Sequence, residues 1–480
     1  MVPSSAPGVV LAAGGAAGGA ATAGSSRLIL ATVLAIAAVV VLITWAKINP
    51  FLALMIGSAV LAIASGFNLD DAVTSFAKGV GDTFGSVGVL VALGAIIGKL
   101  LIDSGGAAQV VDRIVSRFTG GALPWAMAGA AALVGLPMFF EIGVVLLIPI
   151  VLMVARRARV PVLLVGIPAL AGLSVLHGMV PPHPGPLVAI SALKADLGLT
   201  LAFGLICAIP TVIIAGPLFG RVVAHVGPRE ITPDSPMFAE LQAAAGTREA
   251  PGSEERLRRT PSFWVTVGTV LLPVVLMLAR AVAEIVSAKG NPVHDALFVL
   301  GEPVVALLLA TLVAMFTMGY SVGAGRGGVG DTINASLPPM AGTLLIIAAG
   351  GGFKQTLVDS GVGKLIASYA TGAHLSVLLL GWAVAVLIRL ATGSATVATI
   401  TAAGIVAPLA AQLTPAHLAL LVIAVGSGSL FFSHVNDVGF WMVKQYFGMT
   451  VKQTILSWSL METVISVCGL VFAVLLSLAV

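Results

Sequence analysis

The chain has 480 residues, of which 58% are hydrophobic and only 9% carry a charge, whereas a soluble protein carries charge on about 25% of its residues. This composition excludes a set of soluble domains and predicts an integral membrane protein whose surroundings are the lipid bilayer. The 24 Lys and Arg against 20 Asp and Glu give a formal charge of +4, and the bases sit in short clusters between apolar runs, so no nucleic-acid partner is predicted.

The N-terminal segment differs from the rest of the chain. Residues 1–26 consist mainly of Ala, Gly, Ser and Pro, and no basic residue precedes Arg27. The segment therefore lacks the basic start and the cleavage site of a secretory signal peptide. We predict that residues 1–26 form a disordered tail.

From Arg27 onward, apolar stretches follow one another almost without pause. A helix needs about 20 residues to cross a bilayer core of about 30 Å, and sheet-like alternation is absent. The fold class predicted is an all-α polytopic membrane protein with about 12 transmembrane segments. The candidate segments are residues 28–45, 50–65, 86–102, 124–136, 160–180, 200–223, 263–287, 296–319, 341–358, 375–391, 415–432 and 452–479.

One long polar interval, residues 225–262, separates two apolar halves. Arg156, Arg157 and Arg159 form the densest short basic loop, and the positive-inside rule places such a loop in the cytoplasm. If the next segment runs outward and the following one returns, the polar interval also lies inside. The predicted organisation is a first transmembrane repeat at 27–224, a cytoplasmic linker at 225–262 and a second repeat at 263–480.

The two halves share a collinear series of short matches, at offsets of about 250 residues, which indicates an internal duplication. Duplicated halves with helices broken at matching positions are typical of secondary transporters, whose substrate sites lie near the bilayer midplane. The breaks predicted to mark the site are residues 136–143, 177–186, 389–396 and 426–437. The matches are Asn49-Pro50 with Glu302-Pro303, 79–83 with 328–332, 101–105 with 357–361, the region of His183 with that of His434, and 198–200 with 448–450.

The third break has a chemistry suited to an anion. A helix that begins at Gly393 and Ser394 presents free backbone N–H groups and a positive dipole end, with the hydroxyl groups of Ser394 and Thr396 beside them. Arg389 lies four residues before Gly393, and its planar guanidinium group can bind a carboxylate through two hydrogen bonds. Two alternatives stay open: Arg389 can reach an interface instead, and the small residues can serve close helix packing.

Acids and histidines at the other breaks are candidates for coupling and recognition. Glu141 lies in an apolar stretch, where an ionised carboxylate is costly, so it is the candidate proton carrier; a structural hydrogen bond is the alternative. Asn436 and Asp437 offer hydroxyl recognition or proton exchange, with a helix N-cap as the alternative. The remaining candidates for substrate binding are His177, His183 and His434, which can equally be satisfied hydrogen-bonding groups.

Other classes of function have little support in the sequence. No set of His, Cys and carboxylate residues has the spacing of a metal site, and no cofactor is predicted. A channel requires a filter of carbonyls or a ring of like charges, and the chain offers isolated charges at broken helices instead. An enzyme requires a nucleophile motif or a nucleotide loop, and the sequence has neither. The chain also lacks the phosphate-binding loop of an ATP-driven pump, so an ion gradient is the predicted energy source.

Four stretches together resemble the gluconate permease family: 103–106, 176–186, 393–398 and 433–441, within a similarity that runs from about Leu28 to the C-terminus. The resemblance implies import of gluconate or a related sugar acid with protons across the bacterial cytoplasmic membrane, with a permease for D-serine or another small hydroxy or amino acid as the alternative. It also implies the inverted repeats of the ion transporter superfamily, with re-entrant hairpins at 133–155 and 391–408. Whether the coupling ion is H⁺ or Na⁺ stays open, and so does the formation of a homo-oligomer.

Overall fold

A computed structural model describes residues 25–227, 259–286, 291–361, 376–410 and 413–480, and within these ranges the chain forms helices and no strand. The predicted all-α fold class is confirmed. Most of the predicted tail and of the predicted linker lies outside the described residues. The division into repeats at 27–224 and 263–480 stays a prediction.

The first half contains nine helices within its described residues. Three of them begin after a residue whose side chain accepts a backbone N–H of the first turn, namely Asn49, Asn68 and Asp196, and this satisfies donors that a helix start otherwise leaves free. The helices are α1 (Ser25–Thr44), α2 (Pro50–Ser65), α3 (Leu69–Asp103), α4 (Gly106–Val115), α5 (Leu123–Gly135), α6 (Phe140–Ala158), α7 (Val162–Met179), α8 (Pro184–Leu193) and α9 (Leu197–Val223).

The second half contains ten helices within its described residues, and Ser376, Thr414 and Thr450 cap three of them in the same way. They are α10 (Phe263–Val286), α11 (Pro292–Leu300), α12 (Pro303–Ala314), α13 (Arg326–Ser336), α14 (Pro338–Asp359), α15 (Val377–Thr392), α16 (Ala395–Ala410), α17 (Pro415–Gly428), α18 (Val438–Tyr446) and α19 (Val451–Ser477).

Seven of the described helical stretches are long and apolar enough to cross a membrane, and six shorter apolar helices accompany them. The short ones include α5, α15, α16 and α17, each of which ends or begins at one of the predicted breaks. The count of about 12 transmembrane segments stays a prediction, because several apolar helices are shorter than a full span.

Helix α3 packs lengthwise against α14, the helix that the predicted repeat matches to it. Ser75, near the start of α3, donates to Asp359 at the end of α14 over 2.7 Å, and Thr332 of α13 donates to Asp103 at the end of α3 over 3.3 Å. The two helices therefore run antiparallel. A side chain at Gly79 would collide with the backbone of Gly351, so glycine at this contact lets the helices approach closely. With this packing, α3 begins at Leu69, well before the predicted start at residue 86.

Two helix pairs, α5 with α6 and α15 with α16, form hairpins whose tips lie at residues 136–139 and 393–394. Each hairpin includes a first arm, α5 or α15, that precedes the region predicted from the sequence. The re-entrant course of these hairpins stays a prediction. Between the hairpins lie α7 and α8, whose apolar residues are almost wholly buried. The breaks in the helices therefore meet in the interior.

Candidate transport site

Arg389 lies in the last turn of α15 and is buried, with only 4% of its surface exposed. Its Nη2 atom donates to Oδ2 of Asp437, and its Nη1 atom donates to the carbonyl oxygen of Gly393. The alternative in which Arg389 reaches the membrane interface is wrong, because the side chain points into the protein and pairs there. A buried guanidinium group requires such partners.

Asp437 is held by three donors. Besides Arg389, the hydroxyl group of Ser433 donates to its Oδ2, and the backbone N–H of Gly439 donates to its Oδ1 over 2.9 Å. The last contact makes Asp437 the N-cap of α18. The N-cap alternative is therefore confirmed, and the same carboxylate is also the counter-ion of Arg389.

Gly393 shapes the turn between α15 and α16. Its φ of 72° lies in the left-handed region that glycine tolerates best, and a Cβ at this position would collide with the backbone of Asn436. After the turn, the hydroxyl oxygen of Ser394 accepts the N–H of Val397 over 3.3 Å. The N–H groups of Ala395 and Thr396 have no intrahelical acceptor, as in the first turn of any helix, and they remain available to an anion.

At each hairpin, a histidine forms a hydrogen bond with a backbone carbonyl near the end of the first arm. His434 hydrogen-bonds through Nε2 to the carbonyl oxygen of Leu390 over 3.2 Å, near the end of α15. His183 hydrogen-bonds to the carbonyl group of Gly135, the last residue of α5. Helix ends leave such carbonyls free, so both histidines satisfy backbone at membrane depth. This equivalence follows the match that the sequence predicted between the two histidines.

Asn436 uses one side of its amide group in the same way. Its Nδ2 atom donates to the carbonyl oxygen of Leu390 over 2.9 Å. Its Oδ1 atom is buried and has no hydrogen-bond partner among the described residues. The same holds for Nε of Arg389 and Nε2 of His183. At the breaks, one buried donor, Nε of Arg389, and two buried acceptors, Oδ1 of Asn436 and Nε2 of His183, therefore have no partner among the described residues.

Aromatic side chains connect the first half to this cluster. The ring of Phe140, at the start of α6, lies 6.0 Å from that of His177 and 5.5 Å from that of Trp458. The indole N–H of Trp458 donates to the hydroxyl group of Ser433 over 2.7 Å. The ring of His177 lies 5.9 Å from that of His183. All four predicted breaks therefore contribute to one buried region.

Glu141 lies in the first turn of α6, next to Phe140. Its side chain lies outside the part of the chain that the structure describes, so its role as proton carrier stays a prediction. The described residues contain no group of three His, Cys, Asp or Glu side chains able to hold a metal ion.

Glu462 is a residue that the sequence analysis missed. It lies in α19, only 1% of its surface is exposed, and its charged neighbours are Arg389 and Asp437. A signal was present, because an acid inside an apolar helix long enough to span the membrane is itself a candidate functional residue. The pattern of broken helices does not mark it, because the helix around Glu462 is continuous.

Comparison with protein families decides the affiliation. A family model described as GntP family permease matches residues 27–479. The chain belongs to this family. A gluconate permease of Pseudomonas aeruginosa is 48% identical over 443 residues, which cover 92% of this chain and 96% of that protein. A Gnt-II system L-idonate transporter of Escherichia coli is 41% identical over 435 residues, covering 91% and 95%.

Two solved transporter structures have a similar fold. The YdaH transporter of Alcanivorax borkumensis has a TM-score of 0.59 at 18% identity and covers 86% of this chain and 90% of its own. Neisseria gonorrhoeae MtrF has a TM-score of 0.63 at 14% identity, covering 90% and 96%. The protein is accordingly a multi-pass transporter of the bacterial inner membrane.

Proposed function

We propose that this GntP family member imports gluconate or a closely related sugar acid together with protons. The similar proteins named above are a gluconate permease and an L-idonate transporter, and both compounds are six-carbon polyhydroxy carboxylates. A site for such a compound needs a cationic partner for one carboxylate and several hydrogen-bonding groups for hydroxyls.

The buried arrangement of Arg389, Gly393 and the start of α16 is the observation on which the proposal rests. In it, the substrate carboxylate binds Nε of Arg389 together with the N–H groups of Ala395 and Thr396. Its hydroxyl groups bind Oδ1 of Asn436 and Nε2 of His183, two buried atoms at the breaks that can accept a hydrogen bond. The hydroxyl groups of Ser394 and Thr396, which are half-buried, and His177 and His434 complete the predicted binding set.

The antiparallel contact of α3 and α14 supports repeats of inverted topology. Equivalent helices of inverted repeats run in opposite directions, and the two cross-contacts of Asp103 and Asp359 meet this requirement. With inverted repeats, each hairpin tip approaches the site from a different face of the membrane. Rocking of one repeat against the other then opens the site to one side at a time.

An ion gradient supplies the energy in this proposal. Asp437 and Glu141 are the coupling residues named by the sequence. Because a proton brought in with the anion compensates its charge inside the protein, symport suits a buried site with a single arginine.

Uptake of labelled gluconate into vesicles that contain the purified protein tests the proposal. We expect accumulation when the outside is acidic and none when the pH gradient and the membrane potential are both collapsed. Unlabelled idonate should compete, and D-serine should not. Uptake that survives collapse of both gradients contradicts proton symport, and stronger competition by D-serine than by sugar acids contradicts the substrate class.

A further inference from the structure

Among the acids of the site whose side chains the structure describes, Glu462 is the most buried. It lies on α19, 1% exposed, and its carboxyl group hydrogen-bonds to the side chain of Ser174 on α7. Its Oε1 atom is buried and has no hydrogen-bond partner among the described residues. An ionised carboxylate would require better compensation than one hydroxyl group provides.

The charges around Glu462 do not balance when every group is ionised. Arg389 supplies one positive charge, and Asp437 already neutralises it through a direct ion pair. Asp437 also accepts hydrogen bonds from Ser433 and Gly439, which stabilise its ionised form. Glu462 is then a second negative charge, and a substrate carboxylate would be a third.

The other titratable groups on the elements packed against α19 are few. His177 lies one turn after Ser174 on α7, and His434 lies in the break before α18, where it bonds to the carbonyl of Leu390. Cys207 lies on α9 and is buried, and Cys468 lies on α19 itself. His417 lies in the first turn of α17, at the opposite end of that helix from the break that follows Gly428. Three further bases lie on these helices: Arg221 on α9 and Lys452 at the start of α19 are exposed, and Nζ of Lys444 on α18, which also carries Tyr446, lies 5.8 Å from the ring centroid of Trp441. Within the described residues of these elements, Arg389 is therefore the buried fixed positive charge.

From this charge balance we infer that Glu462 is the carboxyl group that takes up the coupling proton when the substrate anion binds. The proton binds an oxygen of Glu462 from the outer side, the neutral acid accompanies the anion while the site is closed to water, and the proton leaves from the same oxygen on the inner side. On the outer side an O–H bond of hydronium breaks as the O–H bond of Glu462 forms, and on the inner side the proton returns to water. The inference rests on the proposed function and names the group that performs the coupling.

The asymmetry of the two halves agrees with a dedicated role. The offset that relates 198–200 to 448–450 places Val212 opposite Glu462. The first half therefore carries an apolar residue at the equivalent position of α9. Packing of the duplicated helix does not need an acid there, and the acid is present only beside the arginine.

The test compares Glu462→Gln with the parent protein in proteoliposomes. Glutamine has nearly the same shape and cannot carry the proton. We expect gluconate binding and exchange across the membrane at equal pH to be retained. A gradient of about one pH unit drives up to about tenfold accumulation per coupled proton in the parent, and we expect this ratio to fall to about one in the variant. Glu302→Gln is the matched control, because Glu302 pairs with Arg280 away from the site, and it should accumulate gluconate normally.

If Glu462→Gln fails to fold, a second measurement still tests the inference. Calorimetry of gluconate binding in buffers of different ionisation enthalpy reports the protons taken up per substrate, and Ser174→Ala should shift the pH range of that uptake. Accumulation by Glu462→Gln equal to that of the parent overturns the inference, as does loss of accumulation in Glu141→Gln alone. Absence of proton coupling in the parent overturns the proposed function itself, so the two failures are distinguishable.

Discussion

Arg389 and Asp437 form an ion pair inside the protein although 48 residues separate them along the chain. The pair joins the end of α15 to the start of α18 and so fixes two helix breaks of the second half against each other. Because Arg389 also donates to the carbonyl of Gly393, one side chain organises the whole turn before α16. In the proposed site, the residue that binds the substrate carboxylate therefore also fixes this turn.

The first prediction concerns the geometry of that guanidinium group. Arg389→Lys should weaken gluconate binding about ten- to a hundredfold, because charge-assisted hydrogen bonds worth about 1.5–3 kcal/mol are lost. A lysine keeps the charge and cannot reproduce the planar fork. Arg389→Ala should bind still more weakly and be less stable, since it leaves Asp437 without its counter-ion.

Equilibrium binding of labelled gluconate to the purified protein measures this effect. Arg280→Lys is the control, because Arg280 also forms an ion pair with an acid, Glu302, away from the site. Affinity in Arg389→Lys equal to that of the control would show that Arg389 only supports the fold.

The second prediction concerns the turn at Gly393. Gly393→Ala should abolish uptake, because the added Cβ collides with the backbone of Asn436 and the left-handed conformation costs about 1–2 kcal/mol for a residue other than glycine. Gly448→Ala is a matched control: Gly448 also has a positive φ, 62°, and a Cβ there meets open space. Gly448→Ala should therefore show only the cost of the left-handed conformation, without the collision. Equal uptake by the two variants would show that the collision with Asn436 does not matter.

The sequence predicted the positions of the breaks well and the contacts between them poorly. Gly393 was recognisable because glycine and polar residues interrupt an apolar run. The pairing of Arg389 with Asp437 was not, since it depends on how the segment before α18 folds back over α15. Glu462 escaped attention because its helix is continuous, and only the packing of α19 against α7 and α15 shows that it faces the site.

The third prediction concerns the inversion of the repeats. Gly105, just after α3, lies close to Thr260, which is near the end of the predicted cytoplasmic linker, so we expect the end of α3 to face the cytoplasm. The start of α3 then faces outward, and the start of α13, on the antiparallel partner, faces inward. In a protein with Cys207 and Cys468 replaced by serine, a single cysteine at Asp71 should react with a membrane-impermeant maleimide on intact cells.

A cysteine at Gly327 should react only after the membrane is opened. Both positions are exposed, and a Cβ at Gly327 meets open space, so the substitutions should not disturb packing. Labelling of both cysteines from the same side would exclude the inverted arrangement.

The last prediction concerns the hydroxyl groups of the substrate. Asn436 has two separable functions: Nδ2 holds the carbonyl of Leu390 at the end of α15, and Oδ1 remains as a buried acceptor. Asn436→Ala should lower the unfolding temperature and also weaken gluconate binding several-fold, because a hydrogen bond to the substrate worth about 0.5–1.5 kcal/mol is lost. Asn291→Ala provides the comparison, since Asn291 caps α11 and its loss costs stability alone, about 1 kcal/mol. Thermal unfolding and binding are measured on the same samples. If Asn436→Ala unfolds earlier and binds gluconate as tightly as Asn291→Ala does, Asn436 serves only to hold α15, and the hydroxyl groups are recognised elsewhere in the site.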